Sequence, residues 1–226
     1  PIGADAATYL EEERCLKGIV AELQKAGEIG YDKVWRQYYN DPETGELKHN
    51  VKPAIAFKVA DYTREKLFGI QMVPFDGTNK KFVKGSETRD GFFVFGSTGQ
   101  ETRVVTEAVI DALSIHVSCS RLFDLQVISV FSASQVLKIK SLPGPPVILF
   151  MDNDFAGIKA TIKAVLELRH NVALVNWELA PEDCKDPNDL LKKGHAKTIE
   201  RMIRHARIPE DPVATVKVLL DRLRPM

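Results

Sequence analysis

The chain has 226 residues, 44% of them hydrophobic, enough to bury a core as one large or two small domains. Basic and acidic side chains number 31 each, so the formal charge is zero and the global basic field of a non-specific DNA-coating protein is absent. The three cysteines, Cys15, Cys119 and Cys184, stand far apart with no Cys-x-x-Cys pair, which argues for reduced thiols against a zinc ribbon or disulfide framework; with no signal peptide and no apolar run of transmembrane length, the expected location is the cytoplasm.

From the amino end, Tyr9–Leu16 and Ile19–Leu23 read as two short amphipathic helices or one broken near Gly18, with Gly27 and Gly30 ending them. Leu16, Ile19, Val20 and Leu23 recur at helical spacing and are expected to pack. Asn40-Asp41-Pro42-Glu43-Thr44-Gly45-Glu46 is a turn, a hairpin tip between Val34–Tyr39 and a run beginning at Pro53. Residues 54–97 read as antiparallel strands, at Ala54–Val59, Leu67–Val73, Phe82-Val83 and Phe92–Phe95, with Asp76-Gly77 as a hairpin signal. Between them lies a basic turn with Lys80, Lys81, Lys84 and, nearby, Arg89. Lysines beside a turn are often simply solvated, and that reading stands here beside a phosphate-binding one.

From residue 99 the pattern changes to strands alternating with helices, the signature of a parallel sheet: 103–106, 127–131, 147–151 and 172–177 are the strands. The apolar run Val147–Met151 ends in Asp152-Asn153-Asp154-Phe155-Ala156-Gly157, which puts two carboxylates on one side of the chain if the extended geometry persists. Ligands of open α/β sheets gather at the carboxyl ends of strands, and a hard cation there takes a few oxygens. A turn with a helix cap explains the same residues. Strand 103–106 likewise leads into Glu107, with Asp111 four residues on and on the same face of a helix starting near Glu107. After a third apolar stretch comes Lys185-Asp186-Pro187-Asn188-Asp189, which also reads as an ordinary helix start with Asp186 as cap and Pro187 in the first position.

Leu142-Pro143-Gly144-Pro145-Pro146 is a stiff connector without chemistry. Ile158, Ile162, Val165 and Leu166 form one face of the helix after Gly157, which lets that helix approach closely. Residues 195–207 form a basic amphipathic helix with Ile199, Met202 and Ile203 inward, and 213–224 a last helix with Val216, Leu219, Leu220 and Leu223 at packing spacing. His116 and His170 read as surface or packing residues. No Gly-x-x-x-x-Gly-Lys-Ser/Thr run occurs, so a fused ATP-driven helicase is not in this sequence. A start at Pro1 is compatible with a fragment of a longer chain.

Thr106-Glu107-Ala108-Val109-Ile110-Asp111-Ala112-Leu113-Ser114, then Asp152-Asn153-Asp154 with Ala156-Gly157, then Lys185-Asp186-Pro187-Asn188-Asp189 together resemble a TOPRIM domain of the DnaG-type primases and their relatives on phages, plasmids and other mobile elements. The resemblance implies an α/β fold, a Rossmann-like parallel sheet flanked by helices (99–195) after a smaller α+β subdomain (1–98) and before a helical extension (196–226). It implies a metal-dependent nucleotidyltransferase, a primase core making RNA primers on single-stranded DNA from NTPs, with a replicative helicase as a possible partner and no membrane association. A TOPRIM nuclease and a non-catalytic DNA-binding scaffold are the alternatives. By the same resemblance Glu107, Asp152 and Asp154 are catalytic; Glu107, Asp111, Asp152, Asp154 and Asp186 hold Mg2+ or Mn2+; and Lys80, Lys81, Lys84 and Arg89 contact nucleic acid or NTP. Two positions depart from the family. Ala108 stands where glycine is usual, and Asn188 where many bacterial primases carry a second acid.

Overall fold

Glycines set the first boundaries. In the computed structural model, which describes residues 2–76, 80–97 and 102–223, α1 (Ala4–Thr8) runs into a π-helical stretch at Tyr9–Glu13, and α2 (Ile19–Ala26) follows. Gly18 and Gly27 flank α2 with φ of 79° and 69°, left-handed conformations that glycine adopts without steric cost. Leu16, Ile19, Val20 and Leu23 are buried, as their spacing requires. Gly30 does not end a helix; it lies inside β1 (Ile29–Asn40).

β1 pairs antiparallel with β2 (Leu47–Ala60) across a turn in which the Asp41 carboxylate accepts from the backbone N–H groups of Glu43 and Thr44. β2 begins six residues before Pro53. Residues 47–51 are exposed, so only their pairing with β1 makes them strand and no apolar alternation announces it. With β3 (Leu67–Pro74) and β4 (Lys81–Phe82) the sheet order is β1-β2-β3-β4. Gly77 of the Asp76-Gly77 hairpin signal lies outside the described residues. Residues 1–59 and 68–88 make up this first compact unit; 60–67 and 89–226 make up the second.

The second unit is built on β5 (Phe93–Gly96), β6 (Thr102–Thr106), β7 (Leu125–Ser129), β8 (Val147–Phe150) and β9 (Val172–Leu174), in the order β5-β7-β6-β8-β9. The pairs β7–β6, β6–β8 and β8–β9 are parallel. β5 is antiparallel to β7, Phe93 facing Ser129; Phe92 bridges Ala60 at the end of β2, but Phe93–Phe95 pairs within the second sheet and not with the amino-terminal strands as its apolar run suggested. An apolar strand buried on both faces fits either sheet, and its own sequence cannot choose. β9 is shorter than 172–177 because Asn176 caps a 3-10 turn at Trp177–Leu179.

Helices cover the sheet: α3 (Val109–Cys119), α4 (Phe155–Leu168), α5 (Pro187–Lys192), α6 (Ala196–Arg204) and α7 (Pro212–Asp221). The core includes Val94, Val105, Ile128, Leu149, Ala164 and Val172, one or more from each strand and from α4. Ile199, Met202 and Ile203 of α6 are buried as expected, and α6 packs on α3. In α7 no residue is buried; Val216 packs partly against the core while Val213, Val218 and Leu220 are exposed. His116 is buried, edge-on to Phe95 with ring centroids 4.7 Å apart, a packing role; nothing is described of the His170 side chain.

Candidate active site

Because β6, β7 and β8 run parallel, their carboxyl ends bring Glu107, Ser129 and Asp152 to one edge of the sheet. Asp152 follows the last buried residue after β8, Met151, and is itself half-buried. Its carboxyl is pushed up to about 9, first by burial and then by the negative charges of Asp111, Glu107, Asp186 and Asp154, in that order. One of its oxygens, Oδ1, is buried with no hydrogen-bond partner among the described residues. The four acids singled out with Asp152 in the sequence are thus all among those whose charge reaches it.

Each of the others is held by its own element. Glu107 sits in the turn between β6 and α3, where Ser129 Oγ donates to its carbonyl oxygen at 3.0 Å. The helix begins at Val109, two residues later than expected, so Glu107 and Asp111 do not share a helical face. Ala108 caps α3 with φ −115° and ψ 157°, ordinary extended backbone, so the glycine usual at this position is not required by conformation here. Asp111, on α3, is buried, and its Oδ1 accepts from the backbone N of Asn188 at 3.2 Å. Asp154 is exposed and caps α4, Oδ1 accepting from Gly157 N at 2.9 Å. Asp186 caps α5, Oδ1 accepting from Asp189 N at 2.7 Å; burial is the largest influence on its carboxyl, which lies above the usual carboxylate range. The helix-cap readings of Asp154 and Asp186 are therefore correct without excluding a second role, since a carboxylate has a second oxygen to offer.

Asn188 is buried, and its Nδ2 donates to Ser114 Oγ at 3.0 Å. In place of a further acid it joins α5 to α3, fixing the Asp186 arm against the Asp111 helix. Backbone bonds complete the frame: Asn153 N donates to Lys185 O at 2.6 Å, tying the Asp152–Asp154 turn to the Asp186 segment, and Trp177 Nε1 donates to Met151 O at 3.1 Å. Ser129, Ser114 and Trp177 were not singled out by sequence. The contacts that bring them to the site are with residues distant in the chain, and no local pattern marks those contacts.

The donors around Asp152 are all carboxylate oxygens, which suits a hard divalent cation. A buried like-charged group with an unpartnered oxygen fits such an ion, whose charge offsets the repulsion. Among the described residues, no three Asp, Glu, His or Cys side chains already stand close enough to form a finished cation cage. Glu107, Asp111, Asp154 and Asp186 surround Asp152 as a field of charge rather than as a closed set of ligands. Lys80, Lys81 and Lys84 are exposed in the first unit, Lys81 Nζ donating to Tyr38 O at 3.4 Å, and Arg89 is exposed in the second.

Residues 104–191 match the family described as Toprim-like, a span that contains all five acids. No curated protein matches the sequence. Among solved structures the chain resembles the primase fragment of the bacteriophage T7 primase-helicase protein (22% identity, TM-score 0.57, 81% of this chain and 70% of that one). It also resembles a DNA primase domain from Pseudomonas aeruginosa (14%, TM-score 0.62, 96% and 76%). A third is the RNA polymerase domain of Mycobacterium tuberculosis primase DnaG in complex with a double-stranded DNA oligomer with a 6-nucleotide overhang (12%, TM-score 0.57, 98% and 85%). The likeness is one of fold: the mixed sheet flanked by helices is that of primase catalytic cores.

Proposed function

We propose that the chain is the catalytic core of a DNA primase, a metal-dependent nucleotidyltransferase that joins ribonucleotides on a single-stranded DNA template. The observation that carries this reading is Asp152: a half-buried carboxyl with one unpartnered oxygen, among four further carboxylates, at the carboxyl edge of a parallel sheet. A lone acid there would be a structural accident, but a half-buried carboxyl raised by burial and by the charges of four neighbouring acids is costly unless a cation is bound.

Phosphoryl transfer builds negative charge on non-bridging oxygens, which carboxylates alone would repel. Mg2+ or Mn2+, when bound, neutralises that charge and lowers the pKa of the attacking hydroxyl. Asp152, Asp154 and Asp186 are the residues proposed to hold the ion, with Asp111 orienting them from α3. Glu107, held through its carbonyl by Ser129 Oγ, is proposed to accept the hydroxyl proton. Lys80, Lys81, Lys84 and Arg89 are proposed to meet template or triphosphate. The likeness to a domain crystallised with partly single-stranded DNA supports a single-stranded DNA partner, and the likeness to a fragment of a primase-helicase protein supports a replicative helicase as a further one. No helix of the described residues is long and apolar enough to cross a membrane, which is consistent with the proposed cytoplasmic location.

Incubation with single-stranded DNA, labelled NTPs and Mg2+ or Mn2+, resolved for both extension and cleavage, tests the reading. Metal-dependent RNA synthesis that disappears in Asp152→Ala and Asp154→Ala is expected. Shortening of the DNA without synthesis would replace the primase with a nuclease.

A further inference from the structure

The turn that carries Asp152 and Asp154 is fixed by bonds from several directions, and one of them comes from the far end of the chain. Arg222, at the carboxyl end of α7, donates from Nη2 to Asn153 Oδ1. Asn153 lies between the two acids, and its backbone N is already committed to Lys185 O. Arg222 and Leu219 of α7 also line the same small cavity as Asp152, together with Thr161 of α4 and Trp177. Among the bonds named on this turn, this is the one with a charged donor. It is also the one made by a helix that buries none of its residues.

We propose that Arg222 is a positioning residue of the metal site, a latch through which α7 holds the Asp152–Asp154 turn by way of Asn153. The inference rests on the reading of these acids as metal ligands. In the charged form that binds a cation, the two carboxylates of this short turn repel each other and their neighbours, which tends to open the turn. A guanidinium fixed on the residue between them opposes that opening and keeps both acids within reach of one ion. Partners that orient ligands in this way typically carry about ten- to a hundredfold in metal affinity. Arg222 is exposed, so its charge is screened by water and its influence runs chiefly through the hydrogen bond.

The two physical effects of removing Arg222 have opposite signs, which makes the test decisive. Loss of the latch weakens cation binding. Simple removal of a positive charge beside acids strengthens it. Mn2+ affinity of the full chain is measured by electron paramagnetic resonance, without DNA or nucleotide, for wild type, Arg222→Ala, Arg222→Lys, Asn153→Ala and the double alanine variant. Weakening on the order of tenfold is expected for either alanine variant, with no further loss in the double, because both remove one contact. Arg222→Lys, which keeps a cationic donor, recovers most of the affinity, and thermal midpoints in EDTA stay within about 2 °C of wild type, less than ~1 kcal/mol for a chain of this size. Unchanged or tighter binding in Arg222→Ala, additive losses in the double variant, or a lysine variant no better than alanine overturns the latch. Asp152→Ala separates the two claims. If it abolishes Mn2+ binding while Arg222→Ala does not weaken it, the metal site stands and the latch falls; if wild type binds no Mn2+, both fall.

Discussion

The Asp152 carboxyl is raised by burial and by like charge, and the consequences for stability have a definite sign. In the unfolded chain its carboxyl ionises near 3.8; in the folded protein the value is about 9. Between those values the native state holds a proton that the unfolded state has lost, so without metal this group's contribution to stability falls as pH rises from about 4 to about 9. Asp152→Asn removes the charge while keeping the shape. In EDTA at pH 8 the variant is expected to melt higher than wild type by at least about 2 °C, the shift that ~1 kcal/mol makes in a chain of this size, and the gap narrows as pH falls, closing near pH 4. Added Mn2+ reverses the order by stabilising only the wild type. Parallel pH profiles for the two proteins would mean that Asp152 is not under strain. Glu107→Gln separates proton transfer from metal holding: turnover is expected to fall roughly a hundred- to ten-thousandfold while Mn2+ affinity changes little. A collapse of affinity instead would make Glu107 a ligand.

At the scale of elements, the start of α4 shows how sequence and site are joined. A Cβ on Gly157 would lie 2.1 Å from the carbonyl oxygen of Asp152 and 2.8 Å from its backbone N and C, so the glycine is what lets the helix close over the acid turn. Alanine is the better helix former by about 1 kcal/mol, but a clash with backbone costs ~1–3 kcal/mol, and the clash wins. Gly157→Ala is expected to lower the thermal midpoint and weaken Mn2+ binding together; a wild-type midpoint with wild-type binding would show that the turn has slack. This junction was legible because the apolar run 147–151 ends in acids and glycine, local signals for a strand end and a close approach. The same logic worked for β6, for Asp186 as cap of α5 and for the inward face of α6. It failed where partners are remote. β5 carries an apolar run that suits either sheet, the start of β2 is exposed and defined only by pairing, and Glu107 precedes its helix because Ala108 stays extended. Asn188 was legible as a departure from the family but not as a joint to Ser114, whose hydroxyl lies 74 positions away in sequence.

At the scale of the whole molecule the formal charge is zero, with Lys+Arg and Asp+Glu nearly balanced within each unit as well, so affinity for nucleic acid has to be local. If Lys81 and Lys84 meet phosphates, their joint replacement by alanine weakens single-stranded DNA binding and flattens the dependence of log K on log salt by roughly 0.7 per lost contact. Lys192→Ala with Lys197→Ala, both exposed on the second unit, is the charge-matched control, chosen because Lys193 is occupied by the Asp183 carboxylate at 2.8 Å. Equal slopes for the two double variants would reduce the basic turn to net charge. The central claim, that the acid edge starts RNA chains on DNA, is tested most directly on unprimed circular single-stranded DNA with γ-labelled NTP. Because only the first nucleotide of a new chain keeps its γ-phosphate, label in short RNA that requires Mg2+ or Mn2+ and vanishes in Asp152→Asn is the predicted result. Unlabelled products, or cleaved DNA in place of RNA, would contradict it.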